Sequence, residues 1–187
     1  MKTIEELPLL KGPKIHLKKP SHQDIPRICE LLNEKEVSAY TLFIPHPYQE
    51  KDAIFWLNMG HQGLTNQNQF IFGIYKNDNG EFIGGIDLRL ERRHKKGELG
   101  YWLGKPFWNL GLMTETLELI ISWAMEDLKV NKVIALHDIN NPASGRVMEK
   151  AGMQKEATLF DHYYINGKFI SLNQYYIHQH LYNKQQK

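Results

Sequence analysis

Hydrophobic and polar residues alternate along several short stretches, which is the pattern of strands that bury only one face. Residues 69–75 and 82–90 show this alternation and flank the turn sequence Asn77-Asp78-Asn79-Gly80. A β-hairpin is therefore predicted over residues 69–90, because asparagine and glycine adopt the conformations that tight turns require. Further strands are predicted at residues 14–18, 98–103 and 130–139 and on both sides of Asn166-Gly167.

Helices are predicted where apolar residues recur at a spacing of three or four positions. One follows Ser21, which we expect to be its N-cap, and the others cover residues 49–60, 112–128 and 142–150. The last starts with Pro142, a residue favoured at the first helical position. Because strands and helices interleave along the chain, we expect a mixed α/β fold.

The length of 187 residues suits one domain, which we expect to cover residues 1–187 with its core at about 14–183. The 23 basic and 21 acidic residues leave a formal net charge of +2, so no overall field would attract nucleic acid or an anionic membrane. An RNA-binding module would need basic and aromatic residues interleaved on a sheet face, and the sequence does not show them. No apolar run approaches the roughly 20 residues of a membrane span.

The single cysteine, Cys29, excludes an internal disulfide and fits a reducing cytoplasm, where we expect the protein to act. Residues 1–14 have neither the apolar run nor the cleavage site of a signal peptide. The nine histidines show no ligand spacing with cysteine or acidic residues, so no metal site is expected. Edge strands near the C-terminus could support a homodimer.

The stretch from residue 106 to residue 115 suits the binding of a phosphate group. It leads into a predicted helix, and the first backbone N–H groups of a helix have no intrahelical partners. Gly111 allows a close approach of the backbone, Asn109 tolerates a left-handed conformation, and Thr114 adds a hydroxyl donor. A glycine before an amphipathic helix is also typical of an ordinary turn, so this stretch alone leaves both interpretations open.

A second segment, Asn141-Pro142-Ala143-Ser144, opens another predicted helix after a buried strand. Together with residues 98–115, residues 44–48 and the hairpin at residues 164–168, it resembles the GNAT superfamily of N-acetyltransferases. Within that superfamily the sequence is most similar to the branch of the ribosomal-protein N-terminal acetyltransferases, RimJ and RimL. The resemblance spans most of the chain.

The resemblance implies a mixed, mostly antiparallel sheet that is flanked by helices and splays open between the family's fourth and fifth strands. Here these strands are residues 98–103 and 133–139. The gap would hold the pantetheine arm of acetyl-CoA, the cosubstrate of the family. The residues that the resemblance assigns to this cofactor are Trp102, Leu103, Asn109, Leu110, Gly111, Leu112, Met113, Thr114, Asn141 and Ser144.

The family reaction is direct attack of a neutral amine on the thioester, so few catalytic side chains are needed. Ser144 matches the family serine near the sulfur, and we expect it to be the acid that assists the leaving thiolate. Ser144 could equally satisfy a backbone group at the helix start. Glu98 is the leading candidate for the base that takes a proton from the ammonium, and the alternative is a merely solvated strand carboxylate.

The acceptor cleft of the family is formed by the segment that here contains Tyr40, Tyr48 and Trp56, whose rings would suit a peptide end or a hydrophobic amine. These aromatic residues could also belong to the core. The expected acceptor is a protein N-terminal amine, with a small amine, amino acid or antibiotic as the alternative.

The sequence departs from the family pattern at three positions. Pro106 stands where the phosphate loop commonly has Arg or Gln, and Asn109 replaces its first glycine. Tyr163 occupies the position of a glutamate that is a proposed base in some Rim-type enzymes, and Asp161 and His162 are near enough in sequence to substitute. These departures keep open a non-catalytic module that retained the fold.

Overall fold

A computed structural model describes residues 3–185 of the chain. Within this range the strands are β1 (Leu10–Lys11), β2 (Ile15–Lys18), β3 (Gln69–Lys76), β4 (Phe82–Glu91), β5 (Lys96–Leu103), β6 (Lys132–Asp138), β7 (Gln154–Ile165) and β8 (Lys168–His178). The helices are α1 (Ile25–Leu32), α2 (Lys35–Ser38), α3 (Glu50–Thr65), α4 (Leu112–Glu126), α5 (Pro142–Lys150) and α6 (Gln179–Gln185). The interleaved order of strands and helices confirms the predicted mixed fold.

The strands form one sheet in the order β1-β2-β3-β4-β5-β6-β8-β7. Every neighbouring pair is antiparallel except β5 and β6, which run parallel. Parallel neighbours need a long crossover, and α4 supplies it between β5 and β6. The predicted hairpins around residues 77–80 and 166–167 are confirmed as β3–β4 and β7–β8.

The sheet opens between β5 and β6, as the family resemblance led us to expect. These two strands pair only from Lys96 and Lys132 to Leu99 and Ala135. Beyond Leu99, β5 stays paired with β4, and β6 stays paired with β8 as far as Asp138. Each strand therefore keeps its outer partner while the two separate, which leaves a gap lined by strand backbone.

Helices cover both faces of the sheet. On one face α3 packs closely, and a Cβ atom added to Gly60 would lie 3.2 Å from Cβ of Ile71. On the other face, the Trp123 ring of α4 meets the rings of Phe70 and Phe72 edge-on, at centroid distances of 5.3 and 5.4 Å. Successive side chains of β3 thus enter different layers of the core, as the pleat of a strand requires.

Several boundaries differ from the prediction. Ser21 precedes a 3-10 turn instead of an α-helix, and α1 starts only at Ile25. The Ser21 backbone N–H donates to the Asp24 carboxylate at 2.7 Å. Helix α3 runs five residues beyond the predicted end at residue 60. Helix α4 ends two residues early, and Lys129 then adopts a positive φ of 56°.

Within residues 3–185, no helix is long and apolar enough to cross a membrane. The same part of the chain contains no group of three or more histidine, cysteine, aspartate or glutamate residues that could hold a metal ion.

Candidate active site

The start of α4 forms a concave backbone surface that is suited to an anion. Asn109 and Gly111 both have positive φ values, of 61° and 79°, so the left-handed conformation predicted for Asn109 is confirmed. Gly111 is the N-cap, and the first N–H groups of α4 point out of the helix with the positive end of its dipole. No atom lies within 4 Å of the position that a Gly111 Cβ would take, so the space in front of this loop is open.

Two contacts hold this loop in place. The indole N–H of Trp108 donates to the backbone oxygen of Leu103 at 2.7 Å, which ties the loop to the end of β5. The Glu115 carboxylate accepts the backbone N–H groups of Lys14 and Ile15 at 2.9 and 3.1 Å, which ties α4 to β2.

Lys14 brings a positive charge to the same loop. Its ammonium group donates to the backbone oxygen of Leu110 at 3.4 Å. Lys14 and Leu110 are 96 positions apart, so no local pattern could have revealed this contact. The cation lies beside the loop in which Pro106 replaces the basic or amide residue of the family pattern.

The start of α5 carries the second part of the site. The Asn141 side chain accepts the backbone N–H of Ser144 at 3.3 Å, as an N-cap residue does. The Ser144 hydroxyl in turn lies 2.7 Å from the hydroxyl of Tyr101 on β5. Because β5 and α5 lie on opposite sides of the gap in the sheet, this hydroxyl pair bridges the opening.

Tyr101 is a site residue that the sequence analysis missed. Burial raises the pKa of its phenol above the ordinary value, although the hydrogen bond with Ser144 acts in the opposite direction. The phenol is therefore protonated at neutral pH, and the Tyr101–Ser144 pair can donate a proton. A tyrosine next to Trp102 fits an ordinary buried strand, so no local pattern marked Tyr101 as a site residue.

The face of β4 and β5 on the α3 side of the sheet carries a group of charged side chains. Arg89 binds Glu98 at 3.0 Å and Asp87 at 3.3 Å. Gln69 on β3 donates to the same Asp87 carboxylate at 3.1 Å. Two carboxylates face one guanidinium group, so this surface carries a net negative charge when both carboxylates are ionised.

Asp87 differs from Glu98 in its surroundings. Its side chain is 20 % exposed, whereas that of Glu98 is 35 % exposed. Burial raises the pKa of Asp87 to about 6, and the charge of Glu98 adds to the rise, while Arg89 and the hydrogen bond from Gln69 oppose it. A carboxylate with a pKa near neutrality is suited to accept and release a proton.

The three predicted acceptor residues lie in different surroundings. Trp56 lies next to Trp102, because both indole rings come within 3.0 Å of the position that a Gly85 Cβ would take. Tyr40 is exposed. Tyr48 is only 6 % exposed and belongs to the hydrophobic core, where Asn33 binds its backbone N–H and oxygen at 2.9 and 2.8 Å. The acceptor role of these three residues stays a prediction.

The predicted cofactor residues occur in three places. Trp102 and Leu103 end β5 beside the gap, Asn109 to Thr114 form the loop at α4, and Asn141 and Ser144 begin α5. The side chains of Leu112 and Met113 are buried, so these two residues offer the loop their backbone N–H groups. Leu110 is largely exposed.

The hairpin at residues 154–178 reaches the segment before α3. The Tyr163 ring, which stands in place of the family glutamate, meets the Phe43 ring edge-on at a centroid distance of 5.0 Å. Asp161 and His162 are exposed, and the His162 ring meets the Tyr163 ring edge-on at a centroid distance of 4.6 Å. These two residues therefore lie at the surface of the hairpin.

The chain is similar to known acetyltransferases. The model of the acetyltransferase (GNAT) domain matches residues 14–154. The uncharacterized N-acetyltransferase YoaA of Bacillus subtilis is 26 % identical over 171 residues, which cover 91 % of this chain and 96 % of YoaA. The ribosomal-protein-serine acetyltransferase of Escherichia coli is 27 % identical over 106 residues, which cover 56 % of this chain and 59 % of that enzyme.

A solved structure has the same fold. The structure of RimL, described as a ribosomal L7/L12 α-N-protein acetyltransferase in complex with coenzyme A, superposes with a TM-score of 0.83 at 17 % identity. The match covers 91 % of this chain and 98 % of RimL.

Proposed function

The chain belongs to the GNAT family of acetyltransferases, and from this membership we propose that it acetylates a primary amine, foremost the α-amino group of a protein N-terminus. Acetyl-CoA is the acetyl donor of the family. The observation that carries the proposal is the gap between β5 and β6, with the loop of α4 at its end and the Tyr101–Ser144 hydroxyl pair across it.

The cofactor fits the residues that surround this gap. Beyond Leu99, the β5 backbone has no β6 partner in the described register, so its amide groups are available to a pantetheine arm. The N–H groups at the start of α4 would hold the pyrophosphate, and the Lys14 ammonium would add a positive charge there. Acetyl-CoA supplies a thioester, whose carbonyl carbon accepts the amine.

The side chains of the site supply proton transfer and positioning. Tyr101 and Ser144 form the donor pair that we assign to the departing thiolate, because each hydroxyl can pass a proton to the other over 2.7 Å. The carboxylates on the α3 side of β4 and β5, Glu98 among them, are the groups that can take the proton of the incoming ammonium. Trp56 beside Trp102 would form an apolar wall for the acceptor.

The choice of a protein N-terminus as acceptor follows the similarity to the ribosomal-protein-serine acetyltransferase of Escherichia coli. The negative charge on the α3 side of β4 and β5 agrees with a cationic amine. The reducing cytoplasm, where ribosomal proteins are made, agrees with the single cysteine.

Two measurements test this proposal. Calorimetry with acetyl-CoA and with coenzyme A should show binding to the purified protein. Thiol release should then be measured with peptides that begin in alanine or serine, with the same peptides blocked at the N-terminus, and with small amines. Thiol release that requires the free peptide N-terminus supports the proposal. Thiol release with small amines alone would show that the acceptor is a small amine and not a protein.

A further inference from the structure

The face of β4 and β5 on the α3 side of the sheet is organised by three cross-strand pairs. Gly85 lies opposite Trp102, Asp87 opposite Gly100, and Arg89 opposite Glu98. These pairs progress along β5 from the gap into the region that β6 covers, because β6 pairs with Glu98 but with no described residue beyond Leu99. The Asp87 pair therefore lies at the point where the sheet opens.

The absence of a side chain at Gly100 lets the Asp87 carboxyl group lean over β5. The Oδ1 atom of Asp87 lies only 2.7 Å from the position that a Gly100 Cβ would take. Any larger residue at position 100 would collide with this carboxyl group. The carboxyl group thus lies above the β5 backbone, and this backbone borders the gap that we assign to the thioester.

The two oxygens of Asp87 have different roles. Gln69 and Arg89 both bind Oδ2, at 3.1 and 3.3 Å. Among the described contacts, none of the hydrogen bonds or ion pairs goes to Oδ1, the atom that lies over Gly100. The carboxyl group is therefore fixed through one oxygen and offers the other oxygen to a ligand.

Glu98 is less suited to the same task. Its carboxylate is held by Arg89 at 3.0 Å, on a β5 residue whose β6 neighbour, Ile134, is still paired. It thus lies below the opening and serves to hold Arg89, which in turn holds Asp87.

We propose that Asp87 receives the ammonium group of the acceptor and takes its proton, and that Glu98 positions it through Arg89. This inference rests on the proposed acetyl transfer. The Asp87 carboxylate accepts one proton from R–NH₃⁺ and leaves R–NH₂, whose lone pair forms the N–C bond as the C–S bond breaks. After the attack the nitrogen loses a second proton, which replaces the proton that the Tyr101–Ser144 pair gives to the departing thiolate, and the Asp87 proton returns to solvent.

The charged groups that face Asp87 agree with this role. Arg89 on β4 and Glu98 on β5 carry one charge of each sign, and Gln69 on β3 is neutral. The burial of Asp87 raises its pKa to about 6, so the carboxylate is ionised at pH 7.5 and is still basic enough to take a proton.

The test compares Asp87→Asn, Asp87→Glu and Glu98→Gln by the pH dependence of kcat/KM. Loss of a general base lowers the rate by roughly 100- to 10,000-fold. We therefore expect Asp87→Asn to lower kcat by at least about 100-fold and to remove the acidic limb of the pH profile near pH 6. Asp87→Glu should recover part of the rate. Glu98→Gln should keep kcat within about 10-fold of the wild-type value, and its pH profile should keep an acidic limb that is shifted in pH. Coenzyme A affinity should be unchanged in all three variants.

An Asp87→Asn variant that keeps the wild-type rate and pH profile would overturn the inference, and so would loss of the acidic limb in Glu98→Gln. If the wild-type protein acetylates no amine, the proposed function fails. Carboxyl ¹³C NMR of the coenzyme A complex still tests whether the Asp87 carboxylate binds an amine. Its signal, identified by its loss in Asp87→Asn, should titrate near pH 6 and move when a primary alkylamine is added. A signal that does not move with the amine overturns the inference.

Discussion

Replacing Asp87 by asparagine should make the protein more stable at neutral pH. Burial raises the pKa of this carboxyl group from 3.8 to about 6, so the folded state binds its proton more tightly than the unfolded state. The stability that this proton contributes is present below pH 3.8 and is lost as the pH rises through 6. A shift of about two pKa units corresponds to about 3 kcal/mol, at about 1.36 kcal/mol per unit.

Asparagine has the same shape and carries no charge, so it avoids this cost while it can still accept the hydrogen bond from Gln69. We expect Asp87→Asn to gain up to about 3 kcal/mol at pH 7.5, which in a chain of this size raises the melting temperature by roughly 6 to 12 °C. The loss of the ion pair with Arg89 reduces this gain.

Urea unfolding followed by circular dichroism at pH 7.5 and at pH 4 would measure the effect. The difference between variant and wild type should be largest at pH 7.5 and should fall towards zero at pH 4. Glu98→Gln is the matched control, because its carboxylate is more exposed and should give no comparable gain. An Asp87→Asn variant that is equally or less stable at pH 7.5, or a gain that does not depend on pH, would refute the reasoning.

Three further predictions concern the cofactor and the hydroxyl pair. Gly111→Ala should weaken coenzyme A binding about 10-fold in calorimetry, because a left-handed alanine costs roughly 1–2 kcal/mol. Gly80→Ala is the control, with a similar φ of 72° and equally open space, and it should leave coenzyme A affinity unchanged. Equal effects of the two substitutions would contradict the assignment of the loop. Tyr101→Phe and Ser144→Ala should each lower kcat by roughly 10- to 100-fold, with a much smaller change in coenzyme A affinity. The double variant should be little worse than either single variant, because both residues act through one hydrogen bond; additive losses would show separate roles. Lys14→Met should weaken coenzyme A binding at low salt and reduce its salt dependence, and an unaltered salt dependence would remove Lys14 from the site.

Sequence patterns predicted those parts of the structure that depend on neighbouring residues. The hairpin at residues 77–80 was predictable because its turn residues favour one geometry, and the left-handed Asn109 was predictable for the same reason. The gap in the sheet was predictable only through the family resemblance, since no local pattern reports where two strands separate. Helix ends were less certain because tertiary packing decides where a final turn frays.

The remaining features of the site depend on contacts between distant segments. Tyr101 and Ser144 are 43 positions apart, and the pairing of their hydroxyl groups needs both the β5 register and the start of α5. In the sequence, Asp87 is an ordinary polar residue of an alternating strand. Only the pairing of β4 with β5 shows that Gly100 lies opposite Asp87 and leaves room for its carboxyl group. The sequence allowed Tyr48 to face either the acceptor or the core. Its burial depends on a tertiary contact, in which the Asn33 side chain binds the Tyr48 backbone.

The short pairing between β5 and β6 also has a mechanical consequence. Only four residue pairs join the part of the sheet that contains β1–β5 to the part that contains β6–β8. The Tyr101–Ser144 hydroxyl pair is a further link across the gap, so widening the gap would act against this hydrogen bond although it would break no hairpin. A ligand that spans the gap would bind both parts of the sheet, and at 100 times its Kd it would stabilise the folded protein by about 2.7 kcal/mol. Amide hydrogen exchange along both strands should therefore slow together when coenzyme A is bound.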